Sequence, residues 1–302
     1  MNFLHLPNAP LEQARVVILP VPYEGTVSWG HGASRGPAAL LQASGSLEYY
    51  DEELRREPYR DGYHTLPPVG VELASPEAMG EAIRQAALPH VVAGRVLAAV
   101  GGEHGITPWL VDAVRQARGD DFGILQLDAH ADMRHSYQGT IWSHGCVMRR
   151  LVEKGLPVTQ VGIRSLSQEE ALFLAETGGE NRLFWAREIW EETRRGEDRW
   201  IARVIDQLPL KVYVTLDLDG LDPSVLPATG TPVAGGLGFY EVLRLLRRVG
   251  AEREVVGLDL VELAPLPGNE VSEQVASHLL YKMLAYFVRG GCEMLPTKSG
   301  CI

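Results

Sequence analysis

The sequence predicts an α/β fold, a single three-layer α/β/α domain around a mainly parallel sheet of about eight strands. Runs rich in Val, Ile and Leu alternate with amphipathic stretches along nearly the whole chain. Several of these runs are apolar on both faces, which is typical of strands inside a sheet that helices cover on each side. The Gly- and Pro-rich segments 23–37 and 222–238 follow strands and lack the composition of flexible linkers, so we expect residues 1–302 to form one domain.

The individual elements follow from the same two patterns. Short apolar runs predict strands at 16–21, 96–100, 122–128, 158–163, 183–185, 212–217 and 255–261, with a weaker one at 69–72. Amphipathic stretches predict helices at 37–50, 76–87, 108–118, 146–154, 168–177, 197–207, 239–249 and 271–288. Because strand and helix alternate, parallel pairing with helical crossovers is expected.

Composition narrows the class of protein. A hydrophobic fraction of 45% and a charged fraction of 22% are those of a folded globular chain. The formal net charge of −11 argues against a nucleic-acid partner and favours a small cationic substrate. Cys146, Cys292 and Cys301 are too few and too irregular for a disulfide framework. No signal-peptide pattern or long apolar run is visible, so we expect a cytoplasmic protein without a membrane partner.

Three separate segments bring acids and histidines close together in the sequence. DAHAD and DLD have a two-residue step, and the third segment, GGEH, ends at His104 upstream of them. In an extended strand alternate side chains share a face, so the members of each segment can converge. Carboxylates mixed with imidazoles suit Mn(II) or another borderline first-row ion. The six candidate ligands are His104, Asp128, His130, Asp132, Asp217 and Asp219. They exceed the needs of one ion, so we predict a site for two Mn(II) ions.

The position of these segments favours one shared site. Each follows the carboxyl end of a predicted strand, where open α/β sheets form ligand crevices. Taken alone, DAHAD or DLDGLDP could be a turn or a helix cap. Together they would place several carboxylates out of water without counter-ions, which is costly unless cations bind. Two bridged ions acidify a shared water, and Asp132 could take up its proton, so hydrolysis is the expected reaction.

The motifs GGEHG, DAHAD, SHG, DLDGLDP, GTPVAGGL and DLVELAP resemble, in this order, those of the ureohydrolase family, which includes arginase and agmatinase. The resemblance runs from about residue 22 to about residue 290. It implies a three-layer α/β/α fold and assembly into trimers or hexamers. It also implies one manganese ion on His104, Asp128, Asp132 and Asp217, and a second on Asp128, His130, Asp217 and Asp219.

The same resemblance assigns roles to residues outside the ligand set. His144 in SHG matches a histidine that shuttles protons or assists the leaving amine, and Asp132 is the other candidate for protonating it. Glu262 in DLVELAP matches a carboxylate that pairs with the substrate guanidinium, whose planar donor fork a carboxylate fits with two hydrogen bonds. Thr231 in GTPVAGGL would lie nearby. Without the resemblance, a structural role would be favoured for a lone histidine such as His144.

The implied reaction is hydrolysis of a guanidino compound to urea and an amine, and agmatine is the favoured substrate. The loop PYEGTVSWGHGASRGP resembles agmatinases, while Ser165 after GIR and the lack of Asn between Asp132 and His144 disfavour arginine. Tyr137 and Trp142 could form an apolar substrate wall or merely anchor their loop. Aminopropylagmatine is an alternative substrate, and arginase activity is a further alternative.

Two further alternatives remain. Arg134 and His135 could bind a carboxylate, which would favour guanidinobutyrate or another guanidino acid, or they could simply lie on the surface. The chain could also be a non-catalytic, metal-containing regulatory or assembly protein, although His144 and Glu262 would then be unnecessary. One departure from the family pattern is GGEHG where GGDHS is commoner. Glu103 and Gly105 could therefore shift metal affinity by changing the groups around the ligands.

Overall fold

A computed structural model describes residues 1–288 of the chain. Its strands are β1 (Val16–Val21), β2 (Tyr63–Thr65), β3 (Val96–Gly101), β4 (Gly123–Leu127), β5 (Val158–Ile163), β6 (Leu183–Trp185), β7 (Lys211–Asp217) and β8 (Glu254–Val261). They form one eight-stranded sheet in the order β2-β1-β3-β8-β7-β4-β5-β6. Every neighbouring pair is parallel, as the alternation of strand and helix predicted.

Helices connect these strands and cover both faces of the sheet. They are α1 (Gly36–Ala43), α2 (Pro76–Val92), α3 (Thr107–Arg118), α4 (Val147–Glu153), α5 (Gln168–Thr177), α6 (Ala186–Arg194), α7 (Arg199–Gln207), α8 (Phe239–Glu252) and α9 (Val271–Phe287). All residues of β1, β4 and β5 are buried, and the sheet separates two apolar clusters. The expected three-layer α/β/α fold is confirmed.

Several elements differ from the sequence prediction, and the helix predicted at 37–50 ends at Ala43. The weak strand predicted at 69–72 is wrong: Val71 is exposed, and the edge strand that pairs with β1 is β2. The Val69 N–H still donates to Pro20 O at 2.9 Å, but Pro20 has no N–H with which to return a bond, so regular pairing on this side of β1 does not continue. Helix α6 was missed because Arg and Glu dominate it, and Ala186 and Ile189 are its buried side chains.

The sheet order brings the candidate motifs together. Strands β3, β8, β7 and β4 are consecutive neighbours at the centre of the sheet and run in the same direction. Their carboxyl ends therefore lie side by side at one edge, where the chain leaves each strand for a loop. His104, Glu262, Asp217 and Asp128 occupy these ends.

Some of the predictions concern residues that lie outside the described part of the chain. Cys292 and Cys301, and residues 289–302 of the expected single domain, lie outside the described residues. Cys146 is buried. Among residues 1–288, no helix combines the length and apolar character needed to cross a bilayer.

Candidate active site

His104 is the centre of the first group of candidate ligands. It begins the short turn His104–Ile106 between β3 and α3 and is almost fully buried. Its Nδ1 atom lies 3.2 Å from Asp128 Oδ2, 3.1 Å from Asp132 Oδ2 and 3.4 Å from Asp217 Oδ2. Four side chains from three separate segments thus meet around one point.

His130 forms the second group with two of the other acids. Its Nδ1 atom lies 3.0 Å from Asp219 Oδ2 and 3.7 Å from Asp128 Oδ1. Asp128 therefore turns one oxygen toward His104 and the other toward His130. His104, Asp128 and Asp132, and likewise Asp128, His130 and Asp219, present ligand atoms within 4.8 Å of one another. The two groups share Asp128.

The ligands converge for a different reason than the sequence suggested. Strand β4 ends at Leu127, so DAHAD lies in the following loop and not in an extended strand. Asp128 Oδ1 accepts the His130 N–H at 2.6 Å, and Asp132 adopts a left-handed backbone with φ 52°. Asp217 ends β7 and caps the next turn by accepting the Asp219 N–H at 2.9 Å. The expectation of alternation along a strand is thus wrong, and tight turns achieve the convergence instead.

The donor set fits two divalent cations. Asp128, Asp132, Asp217 and Asp219 are each at most 6% exposed, and their ion-pair partners within the described chain are His104 and His130. Burying that much negative charge beside two imidazoles is unfavourable unless positive charge is added. His104 Nδ1 is buried and, among residues 1–288, has no hydrogen-bond partner although three carboxylate oxygens face it. A metal ion would satisfy that atom.

The pKa values of the site residues reflect the close packing of buried carboxylates and imidazoles. Burial raises the pKa of Asp132 to about 7 and that of Glu262 to about 8. Burial alone would lower the pKa of His130, but hydrogen bonds to Asp128 and Asp219 raise it to about 12. Without metal, protons therefore supply part of the charge that balances the carboxylates.

These pKa values predict how the metal-free protein responds to pH. Asp132 and Glu262 ionise at lower pH in the unfolded chain than in the folded one, so their contributions to stability fall as pH rises toward 7 and 8. The contribution of protonated His130 is complete below pH 6.5 and falls above it. Chelator-treated protein should therefore lose thermal stability between pH 6.5 and pH 8, as measured by calorimetry. Added Mn(II) should reduce this loss, and a melting temperature that rises over the same interval without metal would contradict the prediction.

Buried polar side chains form hydrogen bonds to the candidate ligands and orient them. His104 Nε2 lies 2.9 Å from Thr215 Oγ1, which donates to Asp259 Oδ1 at 2.5 Å. Gln126 Nε2 donates to Asp128 Oδ2 at 2.7 Å, and Gln160 Nε2 donates to Gln126 Oε1 at 2.5 Å. Contacts of this kind fix the orientation of metal ligands and raise metal affinity.

Glu262 follows β8 and reaches the same edge of the sheet. Its Oε1 atom accepts the His104 N–H at 2.6 Å, and its backbone is left-handed with φ 67°. Such a conformation in a side-chain-bearing residue costs energy and is most common at functional sites. Thr231 donates to Asp219 Oδ2 at 3.1 Å. Glu262 therefore borders the first group of candidate ligands and Thr231 borders the second.

A cavity of about 270 Å³ opens over the acidic cluster. Its lining includes Ser28, His104, His130, Asp132, Tyr137, His144, Thr231 and Glu262. The His144 ring meets Tyr137 edge-on, with centroids 5.8 Å apart, and its Nε2 lies 3.3 Å from Ser28 Oγ. Burial lowers the pKa of His144 to about 4, so its imidazole is neutral at pH 7.

Comparison with known proteins places this architecture in a family. A family model described as the arginase family matches residues 14–285. The chain belongs to the arginase family. It is 41% identical over 280 residues to an N(1)-aminopropylagmatine ureohydrolase of Synechocystis sp., covering 91% of this chain and 89% of the relative. It is 32% identical to an agmatinase of Pyrococcus horikoshii, covering 92% and 94%.

A solved structure agrees with this arginase-family assignment. The agmatine ureohydrolase of Thermoplasma volcanium superimposes with a TM-score of 0.81 at 30% identity, covering 92% of this chain and 91% of that one. The resemblance inferred from the sequence motifs is confirmed.

Not every candidate in this arginase-family chain faces the cavity. Trp142 does not line it and packs against Trp109 with ring centroids 4.5 Å apart, which favours loop anchoring over a substrate wall, the two roles that the sequence left open. Arg134 lines the cavity but lies over the Tyr137 ring, with its Nε 3.8 Å from Glu170 Oε2. The His135 side chain is exposed and does not line the cavity.

Sequence reasoning missed several residues of this arginase-family site. Thr215, Asp259 and Gln126 support the ligands, and Thr26 and Ser28 contact His144. A signal was available for the first three, because a polar residue in the middle of an otherwise apolar strand must have a buried partner. The two loop residues carry no comparable pattern.

Proposed function

We propose that this chain is a binuclear manganese amidinohydrolase, which releases urea from a guanidino compound that carries a second positive charge. The bond between the guanidinium carbon and the alkylated nitrogen breaks, one water molecule supplies the oxygen of urea, and the amine leaves with the proton it needs. The observation that carries the proposal is the pair of ligand groups sharing Asp128 beneath a cavity that Glu262 lines.

The residues that would hold the ions are those of the two groups, and the family resemblance adds Asp217 to the second. One Mn(II) would use His104, Asp128, Asp132 and Asp217, and the other would use Asp128, His130, Asp217 and Asp219. Bound ions of this class supply Lewis acidity and lower the pKa of a coordinated water. The donors are imidazole nitrogens and carboxylate oxygens, without a thiolate. This set favours Mn(II) over zinc, whose structural sites commonly use cysteine thiolates.

Substrate orientation is the task of Glu262. Its Oε1 is held by the His104 N–H, so the carboxylate is fixed relative to the ligand cluster. A guanidinium can donate to such a carboxylate through its planar fork, which fixes both the distance and the plane of the substrate. Tyr137 and Thr231 would limit the space on either side.

Proton transfer to the leaving amine is the task of Asp132 or His144. Asp132 lines the cavity directly beside His104, where it can accept a proton from the attacking water. His144 is neutral at pH 7 and contacts Ser28, so it can accept a proton and deliver it to the alkylated nitrogen. The net reaction converts one guanidinium and one water into urea and an ammonium.

Agmatine is the proposed substrate, with aminopropylagmatine as the second candidate. The loop PYEGTVSWGHGASRGP supports agmatine. Aminopropylagmatine is supported by the relative named for it, which is 41% identical to this chain, against 32% for the agmatinase of P. horikoshii. Both substrates are polycations, in agreement with the net charge of −11. Arg134 at the cavity wall would repel the second positive group of the substrate only weakly. The Glu170 carboxylate, whose Oε2 lies 3.8 Å from Arg134 Nε, offsets its charge.

A urea-release assay separates the alternatives. The Mn(II)-loaded protein is offered agmatine, aminopropylagmatine, arginine and 4-guanidinobutyrate, with chelated protein as the control. We expect turnover of agmatine, aminopropylagmatine or both, with much lower kcat/KM for arginine and guanidinobutyrate. Preference for guanidinobutyrate would point to a guanidino acid and a role for Arg134. No turnover of any compound by protein with two bound ions would favour the regulatory or assembly protein.

We also propose that the protein is a cytoplasmic homo-oligomer. The family resemblance supports a trimer or a hexamer. Light scattering during size-exclusion chromatography tests the assembly, since a monomer at assay concentration would contradict it.

A further inference from the structure

Glu103 is a fully buried carboxylate that the proposed chemistry does not use. It stands next to His104, and it is 0% exposed. Its Oε2 atom accepts the backbone N–H groups of Gly25 and Thr26 at 2.8 and 2.7 Å. Its Oε1 atom accepts the Thr26 hydroxyl at 2.7 Å. One side chain after β3 therefore holds the loop that follows β1.

Thr26 extends this contact to the cavity wall. Its Oγ1 atom accepts the His144 N–H at 3.1 Å and lies 3.5 Å from His144 Nδ1. Because the hydroxyl proton is committed to Glu103, the oxygen is left to accept from His144. The chain of contacts from Glu103 through Thr26 to His144 joins three loops that are distant in sequence.

Gly105 makes room for the Glu103 carboxylate. A methyl group at Gly105 would lie 2.6 Å from Glu103 Oε1, closer than carbon and oxygen atoms approach without a bond. That oxygen is the one that binds the Thr26 hydroxyl. Any side chain at position 105 would therefore push the carboxylate away from Thr26.

We propose that Glu103 is a positioning residue which, through Thr26, holds His144 at the substrate, and that Gly105 is its obligatory partner. The functional part of this inference rests on the proposed hydrolysis, because His144 is assigned its proton-transfer role there. The structural part does not, because the placement of His144 can be measured without substrate. The unusual pair in GGEHG is then one coupled feature and not two independent departures.

A double-variant cycle tests the coupling. Glu103→Asp, Gly105→Ala and the double variant are compared with Gly70→Ala, whose added methyl has no neighbour within 4 Å. We expect Gly105→Ala to lower kcat by about 10- to 100-fold, the range for a small displacement of a reacting group, with bound manganese unchanged. In the Glu103→Asp background the same methyl should cost less than about threefold, because the shorter carboxylate has already left that space.

Thr26 variants and a substrate-free measurement complete the test. Thr26→Val removes the hydroxyl and should reproduce the loss of kcat, whereas Thr26→Ser keeps it and should restore at least about half of the activity. Carbethoxylation of His144, followed by peptide mass spectrometry, should be faster in Gly105→Ala and Thr26→Val than in the unmodified protein. If no variant hydrolyses any guanidine, the labelling still decides the positioning role. Unchanged labelling, or losses that simply multiply in the double variant, would overturn the proposal.

Discussion

Replacing Asp128 with alanine is expected to remove at least one of the two bound manganese ions and to lower kcat/KM for the guanidino substrate by roughly 1,000-fold or more. Asp128 turns its two oxygens toward different histidines, so its loss removes a ligand from both groups at once. Metal ions of this kind contribute several kcal/mol to the stabilisation of the transition state, and each factor of ten corresponds to about 1.4 kcal/mol.

The matched control is Asp120→Ala. Asp120 lies between α3 and β4, and its exposed carboxylate pairs with Arg115. It should leave both the metal content and the activity within about twofold of the unmodified protein, because exposed ion pairs contribute little. Metal content is measured by plasma mass spectrometry after gel filtration. An Asp128→Ala protein that retains two tightly bound ions and full activity would remove the basis of the ligand assignment.

Changing Glu262 to glutamine is expected to lower kcat/KM by roughly 30- to 5,000-fold without loss of bound metal. Loss of one partner from a buried charge pair costs about 2–5 kcal/mol. Glutamine keeps the length of the side chain and an oxygen that can accept the His104 N–H, so the fold of this loop should survive. Steady-state kinetics with the preferred guanidine and metal analysis of the same sample measure the effect.

Glu254→Gln is the control for this substitution, because Glu254 begins the same strand β8 and its side chain is exposed. It should change kcat/KM by less than about twofold. An equal loss in both variants would mean that the strand, and not the carboxylate in the cavity, accounts for the effect. Full activity of the Glu262→Gln protein would contradict the proposal that the Glu262 carboxylate binds the substrate guanidinium.

Much of the site was predictable because its elements obey local rules. Apolar runs located β3, β4, β7 and β8 to within one residue at most ends, and parallel pairing then placed their carboxyl ends at one edge. His104, Asp128, Asp132, Asp217 and Asp219 meet there as expected. The sequence motifs also indicated the family to which the chain belongs.

The remaining features depend on three-dimensional contacts that no local pattern encodes. The left-handed backbone of Asp132 and Glu262 is imposed by neighbouring strands and turns, and neither residue type predicts it. Trp142 carries the same aromatic signal whether it faces a substrate or another tryptophan. The edge strand β2 has three residues, too few for a periodic pattern.

The arrangement of ligands at the ends of β3, β7 and β4, with β8 between the first two, has a consequence for biogenesis. His104, Asp128 and Asp217 come together only when the middle of the sheet is complete, and that middle includes β8, the last strand within residues 1–288. A nascent or partly folded chain would therefore lack a high-affinity manganese site, and capture of the ions would follow assembly of the whole sheet. Once captured, the ions would stabilise the entire domain against global unfolding, because separating β3, β4 or β7 from the others would release them.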